Sequence, residues 1–451
     1  MSISKLHPHL IKGITEALIE IFKNGRYADK IVEITLKSHP KWGARDRRFF
    51  AESVYECVRW RRRLFSVAFT AENFIETDSY LDQNFLTYER IEKMWYAWWL
   101  IRNSNTQQNV FSIINTGKNI YDLKIKFNVE PLRAWQSLDS TESIRSIKES
   151  IPDWLDATGE KELGSKWATV LNALNAPASV YLRINQIKTN RETLVKELQK
   201  EEVFTETVND ENALRLKERK NVFITTAFKA GFFEVQDLGS QKIVPFLEVE
   251  PGMRVIDACA GGGGKSLHMA SLMHNKGKII ALDKNDWRLT PLRQRASRAG
   301  ADIIETRIIT SNKIIKRLFE SADRLLLDVP CTGTGVLRRS PDTKWKLTFD
   351  EMSRLLETQQ EIIQNYSSMT AKGGIMVYST CSIFPSENQK QIDIFLNSPA
   401  GKDWQFIEEL NIYPSTEYIN NEVVAPQPSK KELFLNSDGF YMAKLKRLAK
   451  K

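Results

Sequence analysis

Two short motifs each place a cysteine just after an apolar run. Cys331 follows RLLLD, whose last residue is Asp328, and Cys381 follows GIMVYST. Apolar runs bounded by glycine, charge or turn residues predict buried strands. The carboxyl ends of strands in a doubly wound sheet line one crevice, so we expect both thiols to face one substrate beside a cofactor. The alternative interpretation is that both are buried structural cysteines.

A glycine-rich turn, CAGGGGK, follows the run MRVIDA and precedes a predicted helix. Its glycines let the backbone approach a ligand and leave helix N–H groups directed at it. The turn departs from the phosphate-loop pattern because Cys259 stands where the first glycine is required, and it lacks the third glycine of the dinucleotide pattern. Asp283, at the end of the next run KIIALD, is placed to accept hydrogen bonds from ribose hydroxyls. Together these features predict an adenosine-containing cofactor.

The elements that must position these residues alternate between short apolar runs and helices from about residue 231 onward. MRVIDA, KIIALD, DRLLLDV and GIMVYST have the rhythm of an α/β fold with a Rossmann-like, mostly parallel, doubly wound sheet. The final run, DGFYMAKL, alternates apolar and polar residues and predicts a late strand added at the edge of that sheet.

Two further domains are predicted before the sheet. Residues 1–150 show helical spacing of apolar residues, and residues 151–230 predict a small α/β linker module, which leaves 231–451 as the catalytic domain. The run Arg59–Arg63 suits RNA contact, with a solvated helix end as the alternative. The cluster Trp95–Trp99 is interpreted as core packing. Basic residues of the module, including Arg183, either orient a substrate or belong to a plain linker.

The composition favours a polyanionic partner, nucleic acid first, because the 451 residues carry a net charge of +9 and a pI near 9.1. No run approaches the ~20 apolar residues that span a bilayer. The start MSISKLHPHLIKGITEALIEIF has an amphipathic helix pattern without a signal-peptide core, so we expect a cytoplasmic protein. The four cysteines lie far apart, which argues against a metal site or a disulfide framework. The oligomeric state is undetermined, and a monomer is compatible with the sequence.

Four segments resemble the signatures of the RsmB/Nop/Sun family of RNA (cytosine-5) methyltransferases of the bacterial ribosomal-RNA type. They are DACAGGGGKSLH, DVPCTGTGVLRRSPDTKWK, YSTCSIFPSENQ and DGFYMAKLKR. RRFFAESVYECVRWRRRL and YLRINQIKTNRETL are similar to the family's NusB-like helical domain and the small module that follows it. The resemblance implies S-adenosylmethionine (SAM) as cofactor, RNA as partner, and methyl transfer to position 5 of a cytosine, in ribosomal RNA before transfer RNA.

The resemblance also implies roles for individual residues. Cys381 is expected to be the nucleophile that adds to carbon 6 of the base, and Cys331 is expected to help resolve the covalent adduct. Asp328 is expected to hydrogen-bond the base, and Lys265 to offset charge or lower a thiol pKa. The expected RNA phosphate contacts, with ordinary surface charge as the alternative, are Arg338, Arg339 and Lys344. The predicted cofactor-binding residues are Cys259, Ala260, Gly261, Gly262, Gly263, Gly264, Lys265, Asp283 and Asp328.

Two positions depart from the family pattern. Gly262 stands where the family usually has proline, which predicts a more mobile loop and reduced affinity for SAM. In RIITSNK, only Ile309, Thr310 or Ser311 is available where the family's acid contacts the adenine amino group, so a hydroxyl is the expected substitute. The missing acid leaves open a non-catalytic RNA-binding protein that assists ribosome assembly. An ATP-using P-loop enzyme would require phosphate binding despite Cys259.

Overall fold

The computed structural model describes residues 7–69, 82–103, 130–139, 144–416, 422–424 and 430–449. The chain divides into a helical unit, formed from 1–161 and 340–346, and a sheet unit, formed from 162–339 and 347–451. The predicted amino-terminal amphipathic helix begins at Pro8, and residues 1–6 of that prediction lie outside the described residues. None of the described helices is long and apolar enough to cross a membrane.

The helical unit forms because apolar residues recur at helical spacing and can share one core. Its helices are α1 (Pro8–Phe22), α2 (Ala28–Ser38), α3 (Ala44–Arg59), α4 (Arg61–Ala68), α5 (Tyr88–Asn103), α6 (Glu130–Ser137), α7 (Arg145–Lys148) and the start of α8 (Asp153–Leu163). Ile14, Phe50 and Trp95 are fully buried in this core, and Trp98 and Trp99 are buried with them. The prediction that the tryptophan cluster packs in a core is therefore confirmed.

Arg59, at the end of α3, and Arg61–Arg63, at the start of α4, are buried, which contradicts both alternatives for this run, RNA contact and a solvated helix end. Arg62 donates from Nη1 and Nη2 to the two carboxylate oxygens of Asp153, at 2.7 and 2.9 Å. Arg63 forms an ion pair with Asp139 at 2.7 Å, and the Arg61 guanidinium lies 4.5 Å from the centroid of the Phe22 ring. A position at a helix end predicted exposure to solvent, but these guanidinium groups contact carboxylates and an aromatic ring within the helical unit.

Residues 340–346 complete the helical unit from a distant part of the chain. The indole N–H of Trp345 donates to the carbonyl of Val58 at 2.6 Å, and the Ala28 N–H donates to Asp342 Oδ2 at 3.1 Å. Lys344 is buried, and burial together with the charge of Arg59 holds the pKa of Lys344 well below its usual value. The segment is thus an internal part of this unit.

A four-stranded antiparallel sheet opens the sheet unit, with strand order β2-β3-β1-β4. Its strands are β1 (Tyr181–Ile184), β2 (Thr205–Thr207), β3 (Ala213–Leu216) and β4 (Phe233–Val235). The accompanying helices are α9 (Trp167–Asn175), α10 (Arg191–Lys200) and α11 (Thr226–Lys229). Leu182, Leu194 and Leu214 are fully buried, so one face of the sheet packs against α10.

A nine-stranded sheet, with order β11-β12-β10-β13-β9-β8-β5-β6-β7, carries the predicted motifs. Its strands are β5 (Arg254–Asp257), β6 (Lys278–Asp283), β7 (Ile304–Ile308), β8 (Ala322–Asp328), β9 (Thr370–Thr380), β10 (Trp404–Pro414), β11 (Glu422–Val424), β12 (Lys430–Leu435) and β13 (Phe440–Arg447). The run from β9 through β7 is parallel, which confirms the Rossmann-like prediction. The prediction that DGFYMAKL forms an edge strand is wrong, because β13 lies between β10 and β9.

Helices cover both faces of this sheet, as alternation along its strands requires. They are α12 (Leu238–Leu247), α13 (Gly264–Leu272), α14 (Asp286–Ala299), α15 (Asn312–Arg317), α17 (Phe349–Tyr366) and α18 (Gln389–Leu396), while α16 (Thr343–Lys346) belongs to the helical unit. Ile256 and Ile280 join one apolar cluster, and their chain neighbours Val255 and Ile279 join the other. The strands are therefore buried on both sides, and only their ends are available for chemistry.

Candidate active site

The carboxyl ends of β5, β6 and β8 open into a cavity of about 510 Å³. Parallel strands bring their carboxyl ends to one edge of the sheet, which is where the sequence predicted a site. The predicted site residues that line the cavity are Cys259, Ala260, Gly261, Gly262, Gly264, Lys265, Asp283 and Asp328. Gly263 does not line it, because Gly263 turns the chain into α13 behind the loop.

The glycine loop has the backbone shape that only glycine adopts easily. Gly261 and Gly263 have φ angles of +50° and +78°, in the left-handed region. A Cβ on Gly263 would lie 2.0 Å from Cδ1 of Leu292, which is fully buried in α14. Gly263 and Gly264 differ in this respect, since a Cβ on Gly264 would meet only Gln236 Nε2, at an ordinary contact distance of 3.9 Å. The close approach of α14 explains why the turn tolerates no side chain at Gly263.

Two arginines hold the loop by its carbonyl groups. Arg295 Nη1 donates to the carbonyl of Gly262 at 2.5 Å, and Arg183 Nη1 donates to the carbonyl of Gly264 at 2.6 Å. Burial lowers the pKa of Arg183 to about 9, although the nearby Glu234 opposes this effect. Arg183 also donates to Gln236. The sequence left two roles open for Arg183, substrate orientation and a plain linker. The contacts support a third role, because Arg183 positions the cofactor loop.

Asp283 ends β6 beneath the loop. Its Oδ2 accepts the Gly261 N–H at 3.1 Å and its Oδ1 accepts the Asn285 N–H at 2.9 Å. These bonds fix the carboxylate at the cavity wall, and each oxygen keeps a second lone pair for a hydroxyl donor. The position is the one expected of a ribose acceptor in this class of sheet.

The two predicted thiols meet beside the cavity. Cys331 Sγ and Cys381 Sγ lie 3.4 Å apart, because β8 and β9 pair in register with Asp328 opposite Ser379. The hydrogen bond to Cys381 and then burial raise the pKa of Cys331 well above its usual value. Its neighbour Thr332 donates from its backbone N–H to the buried Glu387 at 2.8 Å.

Lys265 and Asp328 form an ion pair next to these thiols. Lys265 Nζ lies 2.6 Å from Asp328 Oδ2, and the Ser379 hydroxyl donates to Asp328 Oδ1 at 3.0 Å. Burial acts to lower the pKa of Lys265, but the charge and hydrogen bond of Asp328 and the charge of Cys381 outweigh it and raise that pKa. Lys265 therefore stays an ammonium beside the thiol pair.

A second carboxylate, Asp257, is buried at the end of β5. Burial raises its pKa to about 6, although the Ser266 hydroxyl donates to Asp257 Oδ2 at 2.6 Å. Asp257 Oδ1 is buried and has no hydrogen-bond partner among the described residues. Sequence reasoning had treated Asp257 only as the end of a strand.

These residues fit SAM. A volume of about 510 Å³ lies within the range of small-molecule sites, about 300–1,000 Å³. Asp283 suits the ribose hydroxyls, and Asp257 and Asp328 suit the positive charges of the methionine and sulfonium groups. When bound, SAM supplies a methyl group that is activated for transfer by its sulfonium. The protein contributes the charges and the loop that hold the cofactor in place.

Helix α17 contributes residues that sequence reasoning missed. Thr358, Ile362 and Tyr366 line the cavity from this helix. A smaller hollow of about 220 Å³ continues past Ile309 and Ile362, and its polar residues include Glu361 and Asn365. Their helical spacing was the only available signal, and the same spacing is typical of plain core packing. Thr310 and Ser311, the predicted substitutes for the missing acid, line this hollow too.

Two of the three predicted phosphate contacts are buried, and the third is paired with carboxylates of the protein. Arg338 is buried and donates to the carbonyls of Ser437 and Pro177, both at 2.9 Å. Arg339 is paired with Asp237 and Asp438, which raise its pKa against the effect of burial. Lys344 is buried in the helical unit. The prediction is wrong for Arg338 and Lys344, because a buried cation cannot meet RNA phosphates. Arg339, whose side chain is 30% exposed, is held by two carboxylates, and its contact with RNA stays a prediction.

Comparisons with known proteins agree on one family. Residues 244–446 match the family model described as 16S rRNA methyltransferase RsmB/F, and residues 151–223 match the ferredoxin-like domain described as RsmF/B-like. The probable ribosomal RNA small subunit methyltransferase B of Synechocystis sp. is 30% identical over 95% of this chain and 97% of its own length.

Two solved structures share the fold. PH0851 has a TM-score of 0.72 at 24% identity, over 98% of this chain and 99% of its own. NSun6 from Pyrococcus horikoshii, solved with SFG, has a TM-score of 0.57 at 21% identity, over 67% of this chain and all of its own. The motifs, the cavity and the sequence matches converge: the chain belongs to the RsmB/F family of methyltransferases, and its cofactor is S-adenosylmethionine.

Proposed function

We propose that the protein transfers the methyl group of SAM to position 5 of a cytosine in small-subunit ribosomal RNA, through a covalent adduct with Cys381. The observation that carries the proposal is the thiol pair, with 3.4 Å between Cys331 Sγ and Cys381 Sγ, beside the Lys265–Asp328 ion pair. A methyltransferase acting on nitrogen or oxygen has no need of two thiols at this place. The match to ribosomal RNA methyltransferases supports the choice of RNA, and that substrate implies a cytoplasmic protein.

The first step uses Cys381 as nucleophile. Its thiolate forms a bond to carbon 6 of cytosine, and the electron pair of the ring double bond moves to carbon 5. The ammonium of Lys265, held by Asp328, places positive charge beside the thiol pair, and the hydrogen bond to Cys381 together with burial raises the pKa of Cys331. These two neighbours support the assignment of Cys381, and not Cys331, as the attacking group.

Asp328 holds the base during this step. Its two carboxylate oxygens are fixed by Lys265 and Ser379, so the remaining lone pairs point in set directions. The amino group and protonated ring nitrogen of the cytosine adduct are suitable donors to them. With SAM bound, carbon 5 would bond to its methyl carbon as the bond from that carbon to sulfur breaks, which leaves S-adenosylhomocysteine. Loss of the carbon 5 proton to a base then returns that electron pair to the ring double bond and expels Cys381 as a thiolate. Cys331 lies next to the bond that breaks.

Labelled methyl transfer from SAM to 16S ribosomal RNA and to transfer RNA tests the proposal, with the modified base mapped by bisulfite sequencing. We expect one labelled cytosine in 16S RNA, loss of label in Cys381→Ala, and a trapped protein–RNA adduct in Cys331→Ala. Cys57→Ala, a buried thiol of the helical unit, is the matched control and should retain activity.

Each alternative has its own outcome in this assay. Label on transfer RNA alone would assign the other substrate. RNA binding without label on either RNA would favour a non-catalytic assembly factor. Full activity of Cys381→Ala would contradict the covalent mechanism while leaving the methyltransferase family intact.

A further inference from the structure

A concentration of positive charge lies near the start of the helical unit, away from the buried arginine run. Residues 37–48 contain five lysines and arginines and one aspartate, a net charge of +4 within the stretch, and one of the five, Lys37, pairs with Glu33 at 2.6 Å. Lys41, Arg45 and Arg48 are exposed. None of these three side chains forms an ion pair with another described residue. Uncompensated, exposed cations grouped on one surface are typical of a polyanion-binding site.

The same stretch borders a cavity of about 490 Å³ between α1 and the α2–α3 loop. It is lined by His9, Lys12, Gly13, Glu16, Ser38, His39, Pro40, Lys41 and Trp42. Lys12, whose side chain is 65% exposed, adds a cation from α1 and lies 3.7 Å from Glu16, the one carboxylate among the lining residues; both side chains are largely exposed, so an RNA phosphate can compete for Lys12. The volume is sufficient for a nucleotide-sized ligand.

An aromatic pair forms one wall of this cavity. The rings of His39 and Trp42 are stacked, with 4.2 Å between centroids and 19° between planes. Trp42 packs on Gly13, where an added Cβ would lie 3.0 Å from the indole, and it also contacts the buried Phe50. The histidine is therefore the outer ring of a supported stack. Histidine is one of the side chains on which unpaired RNA bases stack.

Hydrogen bonds within the helical unit preorganise this surface. His39 Nδ1 lies 2.9 Å from the carbonyl of Thr35, which orients the imidazole. Arg47, the one partly buried arginine of the stretch, donates to the carbonyls of Leu36 at 3.0 Å and His39 at 3.5 Å. A loop fixed by these bonds loses little conformational freedom on binding.

We propose that this surface, formed by Lys12, His39, Lys41, Arg45 and Arg48, binds an unpaired segment of the RNA substrate. The cations contact phosphates, and a base stacks on His39 in the cavity. The inference rests on the proposed function for the identity of the RNA, and it replaces the arginine run as the RNA-contacting part of the helical unit.

Filter binding of full-length protein to transcribed 16S ribosomal RNA tests this surface over a range of salt concentrations. Lys41→Glu, Arg45→Glu and Arg48→Glu in one chain should weaken binding by about tenfold or more and reduce the slope of log affinity against log salt by about two to three. The same three positions changed to Gln should give a smaller loss. His39→Ala should weaken binding about fivefold, as expected for one lost stacking contact.

The matched control has the same change in charge elsewhere, with Lys161→Glu, Lys196→Glu and Lys217→Glu in one chain. These lysines are exposed and lie outside the proposed surface. Binding by the first triple variant equal to that of this control would overturn the proposal. Normal RNA binding with lost attachment to purified ribosomal proteins would also overturn it, by assigning the surface to a protein partner.

Failure of this proposal and failure of the proposed function give different results, because binding is measured without methyl transfer. A wild-type protein that binds RNA through this surface but labels no cytosine would contradict the proposed reaction and support the surface. A triple variant that methylates RNA with unchanged KM would contradict the surface and leave the reaction supported.

Discussion

The three glycines 261–263 should respond differently to the same small substitution. Gly261→Ala places a side chain in open space at a φ of +50°. Gly262→Ala meets its nearest atom, Arg295 Nη1, at 3.5 Å, with a φ outside the left-handed region. Gly263→Ala combines a φ of +78° with a Cβ 2.0 Å from Leu292 Cδ1. The series therefore separates backbone strain from steric overlap.

The expected magnitudes follow from these contacts. A left-handed backbone costs an alanine about 1–2 kcal/mol, which is the whole penalty at Gly261. Overpacking against a buried leucine adds about 1–3 kcal/mol, so Gly263→Ala should destabilise its surroundings by about 2–5 kcal/mol. Gly262→Ala should be neutral or stabilise by up to about 1 kcal/mol, because alanine restricts the unfolded chain more than glycine does.

Hydrogen–deuterium exchange of α13 amides, measured by mass spectrometry, reports the free energy of local opening in a chain whose two units need not unfold together. Calorimetric titration with S-adenosylhomocysteine reports the affinity of the cofactor site that the glycine loop helps to form. We expect exchange to be fastest in Gly263→Ala, intermediate in Gly261→Ala and close to wild type in Gly262→Ala. Equal protection of α13 in the Gly261 and Gly263 variants would refute the reasoning from Leu292.

Three further predictions concern charge and recognition. Burial raises the pKa of Asp257 from 3.8 to about 6, so the native state binds this proton more tightly than the unfolded state does. The free energy of unfolding should therefore fall by about 3 kcal/mol as the pH rises from about 4 to above 6. Asp257→Asn should remove this dependence in denaturant titrations at several pH values, and an unchanged pH profile would contradict it. Arg62→Ala should destabilise the helical unit by about 2–3 kcal/mol without changing RNA affinity per folded molecule. The control Lys161→Ala, at an exposed position, should change neither the stability nor the RNA affinity. A loss of RNA affinity in Arg62→Ala at wild-type stability would restore the original prediction of RNA contact. If Glu361 accepts the adenine amino group, Glu361→Gln should lower the preference for S-adenosylhomocysteine over its inosine analogue by about threefold to tenfold, measured by calorimetry. Glu357→Gln, one turn away on α17, should leave this preference unchanged. Equal effects of the two substitutions would exclude the contact.

Features encoded within a few residues of each other could be predicted from the sequence. The Rossmann-like sheet followed from apolar runs that end in polar residues, and Asp283 and the two thiols were found because strand ends converge in such a sheet. The cofactor was confirmed by the comparisons. The separate roles of Cys331 and Cys381, and the domain borders near 150 and 230, stay predictions.

Features that depend on distant partners could not be predicted. Arg338 and Arg339 were assigned to the surface because arginine usually lies there, but their carbonyl and carboxylate partners come from remote parts of the chain. The position of β13 was mistaken because the strands beyond it, β10–β12, had not been recognised. Residues of α17 were missed since a helix that lines a cavity and a helix that packs in a core have the same apolar spacing.

The participation of residues 340–346 in the helical unit has a consequence for how the protein is made. A ribosome that has synthesised the first 161 residues has not yet delivered Trp345 and Asp342, which contact Val58 and Ala28. At translation rates of about 5–20 residues per second, the amino-terminal helices wait roughly 10–40 s for this last piece. During that interval they expose part of their core to chaperones, and a gene fragment that ends near residue 161 would encode a permanently incomplete unit.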